Sequence, residues 1–170
     1  MRTIASALLA ATMTLGSLCG VATAEPARDT TDFALISLTT IPGGWTSRTD
    51  LRAQLEVDAD GTAVHRPDVL SSDRPADTAP REVLGSIPAD ELDKALERIR
   101  ALRETDFGVP TVTDHGIQII DLMPEDPADD VHLILYAPEA TEGLTDEQRA
   151  ARAKFDEVFD GLIDAFEEQK

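Results

Sequence analysis

The strand-like segments of this chain are joined by connections too short for a parallel crossover. Residues 50–57 alternate between apolar and polar side chains, and residues 62–66 return as their partner after the turn sequence Asp-Ala-Asp-Gly at 58–61. Residues 117–122 and 131–137 flank a second turn, which is rich in Pro and Asp. A parallel pair needs a crossover of about a dozen residues, whereas antiparallel strands accept tight turns. The sequence therefore predicts antiparallel pairing.

Residues 117–122 and 131–137 carry apolar side chains at successive positions, so both faces of each strand are apolar. This pattern is typical of strands covered on both sides, and we expect both to lie in the middle of a sheet. Residues 33–41, which end at Pro-Gly-Gly, and residues 81–87 add two further predicted strands. The stretch from 67 to 80 holds three prolines and is predicted to be a surface loop.

Two segments have the apolar period of a helix. One opens with Pro-Ala-Asp-Glu at 88–91 and is predicted to end at Phe107-Gly108; the other opens at Thr145, with Gln148 three residues later as a capping-box partner. Their apolar stripes are Leu92, Ala95, Leu96, Ile99 and Leu102 in the first, and Phe155, Val158, Phe159, Leu162, Ile163 and Phe166 in the second. One-sided helices need a sheet face to cover. The sequence predicts an α+β fold in which two helices pack on one face of an antiparallel β-sheet.

The first 24 residues have the three parts of a secretory signal peptide: a basic start at Arg2, an apolar stretch, and a small-residue end at Ala22-Thr23-Ala24. We expect cleavage after Ala24 and a secreted, extracellular product. The apolar stretch is shorter than the ~20 residues of a membrane span. Residues 25–32 are predicted to be a flexible leader, and residues 33–170 a single domain.

The chain is strongly acidic, with a formal charge of −18. Removing Arg2 with the signal leaves 14 of the 15 basic residues against 33 acidic ones, a formal charge of −19. Such a charge repels nucleic acid and anionic membranes, and the sequence predicts neither as a partner. It favours a soluble, monomeric product. The single cysteine, Cys19, leaves with the signal, so the core alone must hold the domain together.

Motifs that carry enzyme chemistry are missing from the sequence. His65, His115 and His132 lack the helical spacing of a zinc site, and no Gly-x-Ser-x-Gly elbow or phosphate-binding glycine loop occurs. The sequence thus predicts a protein that is not an enzyme, with no catalytic, cofactor-binding or metal-binding residue. Calcium at the acidic turns 58–61 or 125–130 is the alternative, although neither turn has complete ligand spacing. Asp121 and His132 are expected to form at most a cross-strand ion pair.

The candidate partner-binding residues are Gly43, Gly44 and Trp45, in the loop from 42 to 49. Trp45 is the only tryptophan of the chain and directly follows the two glycines. It either packs into the core at the sheet edge or serves as an aromatic anchor for a protein partner, since interface hot spots favour tryptophan. Glycines beside it would let a partner approach the backbone closely.

The order of these elements resembles that of the emfourin family. The resemblance begins with a strand followed by Gly43-Gly44-Trp45 and an alternating strand that ends at residues 60–63 (Asp-Gly-Thr-Ala). It continues with a helix opened by residues 87–92 (Ile-Pro-Ala-Asp-Glu-Leu), a hairpin and a closing helix. Members of the emfourin family are small protein inhibitors of thermolysin-type metalloproteases such as protealysin, and related secreted domains occur in actinobacteria. The resemblance implies a binding domain for an extracellular protease.

The alternative is a secreted or cell-envelope acidic domain without inhibitory activity. The two functions differ in one structural expectation. A protease-binding domain requires an exposed apolar patch at one edge of the sheet, whereas an inert domain has none.

Overall fold

The computed structural model of the protein describes residues 33–44, 51–75 and 77–170. The predicted signal peptide, the predicted leader and Trp45 lie outside the described residues. The strands are β1 (Ile36–Ile41), β2 (Leu55–Val57), β3 (Thr62–His65), β4 (Val83–Ser86), β5 (Ile117–Leu122), β6 (Val131–Tyr136) and β7 (Glu167–Glu168). The helices are α1 (Ala89–Ala101) and α2 (Asp146–Asp164), and a single 3-10 turn, Pro127–Asp129, lies between β5 and β6.

The strands form one seven-stranded sheet in the order β6-β5-β1-β2-β3-β4-β7, and every neighbouring pair is antiparallel. The predicted α+β fold is therefore confirmed. One expectation about the sheet is wrong: β5 lies inside it, but β6 is an edge strand. The apolar residues on the outer side of β6 are not covered as those of a central strand would be, since Ile134 is 47% exposed.

Both helices lie on the same face of the sheet and share one core with it. From the sheet, this core takes the inward residues Ile36, Leu38, Leu55, Val57, Ala63, Ile120, Leu122, Val131, Leu133 and Leu135. From the helices and their ends, it takes Leu92, Ala95, Ile99, Leu102, Phe155, Val158, Phe159 and Leu162. Nearly all of the predicted helix stripes are in this cluster. With no disulfide among the described residues, burial of these side chains supplies the main stabilisation.

The ends of the helices follow from local chemistry. The Thr145 side chain accepts from the backbone N–H of Gln148, whose side chain in turn accepts from the N–H of Thr145, which is the predicted capping box. α1 ends at Ala101, earlier than predicted. Phe107 has left the helix and packs edge-on against Phe155, with ring centroids 5.6 Å apart.

The predicted loop after β3 covers the outer face of β2 and β3. Arg66 is 5% exposed and donates to Glu56, to Glu82 and to the carbonyl of Ala53. Burial alone would lower the pKa of the Arg66 guanidinium, but the hydrogen bonds and charges of the two glutamates outweigh it and raise the pKa above its ordinary value. Over β2 and β3, the outer face is thus covered in part by a buried arginine whose two glutamate partners are partly exposed.

Further along this loop, Arg74 is also buried and donates to the carbonyls of Asp68, Val69 and Thr78. Val69 is 2% exposed beneath it. The described part of the loop therefore has its own hydrogen-bonded interior.

At the far end of the sheet, β7 follows α2 and pairs with β4. Gly85 makes this possible, because a Cβ there would overlap the carbonyl oxygen of Glu167 and the ring of Phe166. Phe166 also packs against His65, with ring centroids 5.2 Å apart. Neither described helix is long and apolar enough to cross a membrane.

Candidate functional site

The side of the sheet away from the helices is apolar over its β6, β5 and β1 strands. The pairing register places three rows of side chains across these strands: Ile41, Ile117 and Tyr136; Thr39, Ile119 and Ile134; and Ser37, Asp121 and His132. We call the set Ile41, Ile117, Ile119 and Ile134 the isoleucine face. None of the four is buried, whereas the inward apolar residues of the same strands, such as Leu38, Ile120 and Leu133, are almost fully buried. In the described part of the chain, no helix or loop covers this face as Arg66 covers part of the other end of the sheet.

The predicted glycines lie at one end of the isoleucine face, directly after Ile41. A Cβ at Gly43 would lie 2.6 Å from the carbonyl oxygen of Asp114 and 3.0 Å from the backbone nitrogen of Gly116. The close backbone approach that Gly43 permits is therefore already taken by the chain itself. Gly44 differs: it has a φ of +68°, and among the described residues no atom lies within 4 Å of an added Cβ.

Tyr136 fixes this same end of the face. Its hydroxyl donates to the carbonyl of Val112 at 3.2 Å and accepts from the backbone N–H of His115 at 3.5 Å. The ring thus ties the segment before β5 to the outer side of β6. These hydrogen bonds hold residues 112–115 in place at the margin of the isoleucine face next to Gly44.

The opposite end of the isoleucine face is polar. Asp121 lies directly across from His132, and its carboxylate contacts the Nδ1 of the imidazole. Ser37 Oγ lies 3.5 Å from the other carboxylate oxygen of Asp121. The expected cross-strand pair is present, and it forms a polar rim at this end of the isoleucine face.

In each acidic turn, at least one carboxylate accepts hydrogen bonds from the turn itself. Asp60 accepts from the N–H and hydroxyl of Thr62, and Asp58 accepts from the same hydroxyl. Asp126 caps the 3-10 turn by accepting from the N–H of Ala128. Among the described residues, no group of three or more His, Cys, Asp or Glu side chains is placed to hold a metal ion.

A groove of about 570 Å³ runs between α1 and α2 on the side away from the sheet. Leu102 and Ala151 form part of its floor. Arg98 and Lys154 lie on its rim together with Glu147 and Glu157. Because the two positive charges are matched by two negative ones, the groove offers no charge preference for a ligand.

The pKa of His65 lies below that of free imidazole. Burial against Phe166 and, to a smaller extent, the positive charge of Arg81 lower the pKa of His65 from its ordinary value of 6.5. The native state therefore resists protonation of this ring.

This shift leads to a pH-dependent prediction. Below about pH 6.5 the unfolded chain takes up a proton at His65 more readily than the native protein does, so native stability is lost as the pH falls. On lowering the pH from about 7.5 to about 5.5, we expect the wild type to lose more free energy of unfolding than His65→Gln does. Urea unfolding of both proteins at the two pH values measures the difference. Equal changes in both would show that the ring titrates normally in the native state.

The sequence names Gly43 and Gly44 as partner-binding candidates, and the structure places them beside the isoleucine face, whose residues the sequence does not identify. The signal for this face was present in the two-sided apolar pattern of residues 117–122 and 131–137, which we interpreted as central strands. Comparison of the chain with protein-family models, with curated proteins and with solved structures gives no match. The chemistry of the described surfaces is therefore what bears on function.

Proposed function

We propose that the chain is a secreted, non-enzymatic binding domain that inhibits an extracellular metalloprotease of the thermolysin type. The observation that carries this proposal is the isoleucine face, a partly exposed apolar patch at one end of the sheet with no described helix over it. The signal-like residues 1–24 support an extracellular location, and the resemblance to the emfourin family supports the class of target. Contiguous exposed apolar patches on soluble proteins commonly mark interaction sites.

The isoleucine face has the composition of an interface centre with a polar rim. Ile119 and Ile134 are cross-strand neighbours in its middle, and Asp121 with His132 forms the charged margin. Burying such apolar side chains against a partner contributes about 25 cal/mol per Å² of apolar area removed from water. The polar rim then determines the orientation of the bound partner and contributes less to the affinity.

Inhibition by this surface is steric. No described side chain on the isoleucine face is a thiolate or a cluster of zinc ligands. The domain therefore blocks access to the protease. Gly44 lies at the margin of the face, and Trp45, the next residue in the chain, is the aromatic residue that the sequence assigns to the same contact.

Charge favours a target whose contact surface is basic. A formal −19 on the secreted chain steers a positively charged surface toward it and raises the association rate at low salt. We expect inhibition to strengthen as the salt concentration is lowered, since exposed charges are screened within about 10 Å at 0.1 M ionic strength.

The test compares variants that place threonine at exposed apolar positions on the outer face at opposite ends of the sheet. Ile134 is 47% exposed in the isoleucine face, and Leu84 is 45% exposed on the outer side of β4. We expect the double variant Ile119→Thr/Ile134→Thr to weaken inhibition of a thermolysin-type protease by about tenfold or more, as loss of two interface-centre residues does. Leu84→Thr leaves inhibition unchanged. Inhibition constants for purified proteins starting at Glu25 provide the measurement.

Two results would contradict the proposal in different ways. If the wild type at micromolar concentration slows none of these proteases, the second function, an acidic secreted domain without inhibitory activity, takes its place. If the double variant inhibits as well as Leu84→Thr while remaining folded, the domain is an inhibitor but the isoleucine face is not its contact surface.

A further inference from the structure

The outer edge of β6 carries backbone groups that point away from the sheet. The N–H of Ala137 donates to the carbonyl of Gly116, which makes these two residues a hydrogen-bonded pair. Hydrogen-bonded and non-bonded pairs alternate along antiparallel strands. The N–H and C=O groups of Leu133 and Leu135 therefore face β5, and those of His132, Ile134 and Tyr136 face the free edge.

Arginine side chains occupy both ends of this edge. Arg103 donates to the carbonyls of Ala128 and Asp130 at 2.7 Å each, just before β6 begins. Arg152 donates to the carbonyl of Tyr136 at 2.8 Å, where β6 ends. Between them, no described residue hydrogen-bonds to the N–H or C=O of His132 or Ile134.

β6 also lacks the features by which edge strands usually avoid pairing. It runs for six residues with the sequence Val-His-Leu-Ile-Leu-Tyr, and it contains no proline, lysine or bulge. Natural edge strands are commonly short or carry such guards, because unpaired N–H and C=O groups otherwise attract a further strand. His132 and Ile134 are exposed, so neither side chain closes off the edge.

The charges at the two ends of β6 decide which kind of strand fits there. Four carboxylates precede β6 and two follow it, all on exposed residues: Glu125, Asp126, Asp129, Asp130, Glu139 and Glu142. In a pair of β6 strands from two copies, antiparallel pairing would bring the first group beside the second, and parallel pairing would bring each group beside itself. Both arrangements place acid against acid, so this edge disfavours a second copy.

We propose that the free edge of β6 binds an extended segment of a partner protein by β-strand addition, and that this segment has an apolar centre flanked by basic residues. The inference rests on the proposed role as a protein-binding domain and adds the part of the partner that is bound. The edge N–H and C=O groups of His132 and Ile134 supply the hydrogen bonds. Apolar side chains of the added strand extend the row that Ile119 and Ile134 begin, and its basic ends meet the six carboxylates.

The experiment uses a synthetic peptide and needs no protease. The probe is a nonapeptide with the sequence Lys-Lys-Val-Thr-Val-Thr-Val-Lys-Lys; one control has four glutamates in place of the lysines, and another has proline at the centre. Amide hydrogen exchange of the wild-type protein is measured by NMR with and without each peptide. We expect exchange at His132, Ile134 and Tyr136 to slow by about tenfold or more with the lysine peptide. Leu133 and Leu135, already bonded to β5, serve as internal controls and do not change.

The outcomes separate the inference from the proposed function. Slowed exchange at the three edge amides, with the glutamate and proline peptides binding at least about tenfold more weakly, supports the inference. Absence of binding at millimolar peptide, protection elsewhere on the protein, equal binding of the glutamate peptide, or protection that appears with protein concentration alone would each overturn it. Edge protection without inhibition of any protease overturns the proposed function alone.

A pair of variants tests the same edge in the protease assay. His132→Pro removes one edge N–H that β5 does not use, whereas His132→Ala removes the same side chain and keeps the N–H. We expect His132→Pro to inhibit about tenfold less well than His132→Ala. Equal inhibition by two folded variants contradicts the role of the edge but leaves the inhibitory function standing. If His132→Pro does not fold, the hydrogen-exchange measurement on the wild type still decides.

Discussion

Replacing Phe155 by alanine is expected to lower the free energy of unfolding by about 3–5 kcal/mol. The Phe155 side chain is fully buried, and its ring lies 5.6 Å from that of Phe107 and 6.0 Å from that of Phe159. Truncation removes the apolar burial and leaves a cavity between α2 and the sheet that these neighbours cannot fill. Urea or thermal unfolding of the purified variant measures the loss.

Phe33 provides the matched control for this substitution. It is 85% exposed, so Phe33→Ala removes the same atoms from water and is expected to change the free energy of unfolding by less than about 0.5 kcal/mol. Phe155→Leu should fall between the two, since leucine fills part of the cavity. If Phe155→Ala and Phe33→Ala had similar stability, the aromatic stack would not be a central part of the core.

Arg152→Met is expected to lower the free energy of unfolding by about 2 kcal/mol. Arg152 is 3% exposed, and its guanidinium donates to the carbonyls of Phe107, Tyr136 and Ala137. Methionine keeps most of the apolar volume but leaves these oxygens without their donor. Burial lowers the pKa of Arg152, so removing the charge recovers part of its desolvation, which limits the loss.

The control for Arg152 is Arg100→Met on the exposed side of α1, which should change the free energy of unfolding by less than about 0.5 kcal/mol. Both are measured by urea unfolding at neutral pH. Unchanged stability of Arg152→Met would mean that water replaces the guanidinium at these carbonyls. The end of β6 would then be more open than the structure describes.

Features set by neighbouring residues could be predicted from the sequence. The capping box of Thr145 and Gln148 involves residues three apart, and the stripe of α2 depends only on helical spacing. The turn at 58–61, with Gly61 at positive φ, likewise follows from local chemistry. The α+β class was accessible because it needs only the type and order of such elements.

Features set by distant pairing could not be predicted in this way. β6 was expected inside the sheet because its residues are apolar on both sides, but an edge strand that forms a binding surface has the same pattern. The strand order depends on β1 inserting between β2 and β5, which are far apart in the chain. The burial of Arg66 and Arg74 could not be predicted either, because arginine is usually exposed. Only their hydrogen-bond partners explain why these two are buried.

The candidate site was predicted in part. Gly43 and Gly44 lie beside the isoleucine face, but the space that Gly43 leaves is filled by the backbone of residues 114–116. No local pattern could reveal this contact, because the two segments are brought together only by the β1–β5 pairing. The four isoleucines come from three strands, and only the register shows that they share one surface.

The two edges of the sheet are unequal. β6 offers six residues on one side, whereas β7 closes the other side with two residues, Glu167 and Glu168, both exposed and acidic. A sheet that can add strands at both of its edges can extend into a filament, as amyloid does. Among the described strands, β6 presents the longer edge, and β7 presents two charged residues that disfavour pairing. If the β6 edge binds the partner segment as proposed, each domain takes up one added strand, and we expect one-to-one complexes.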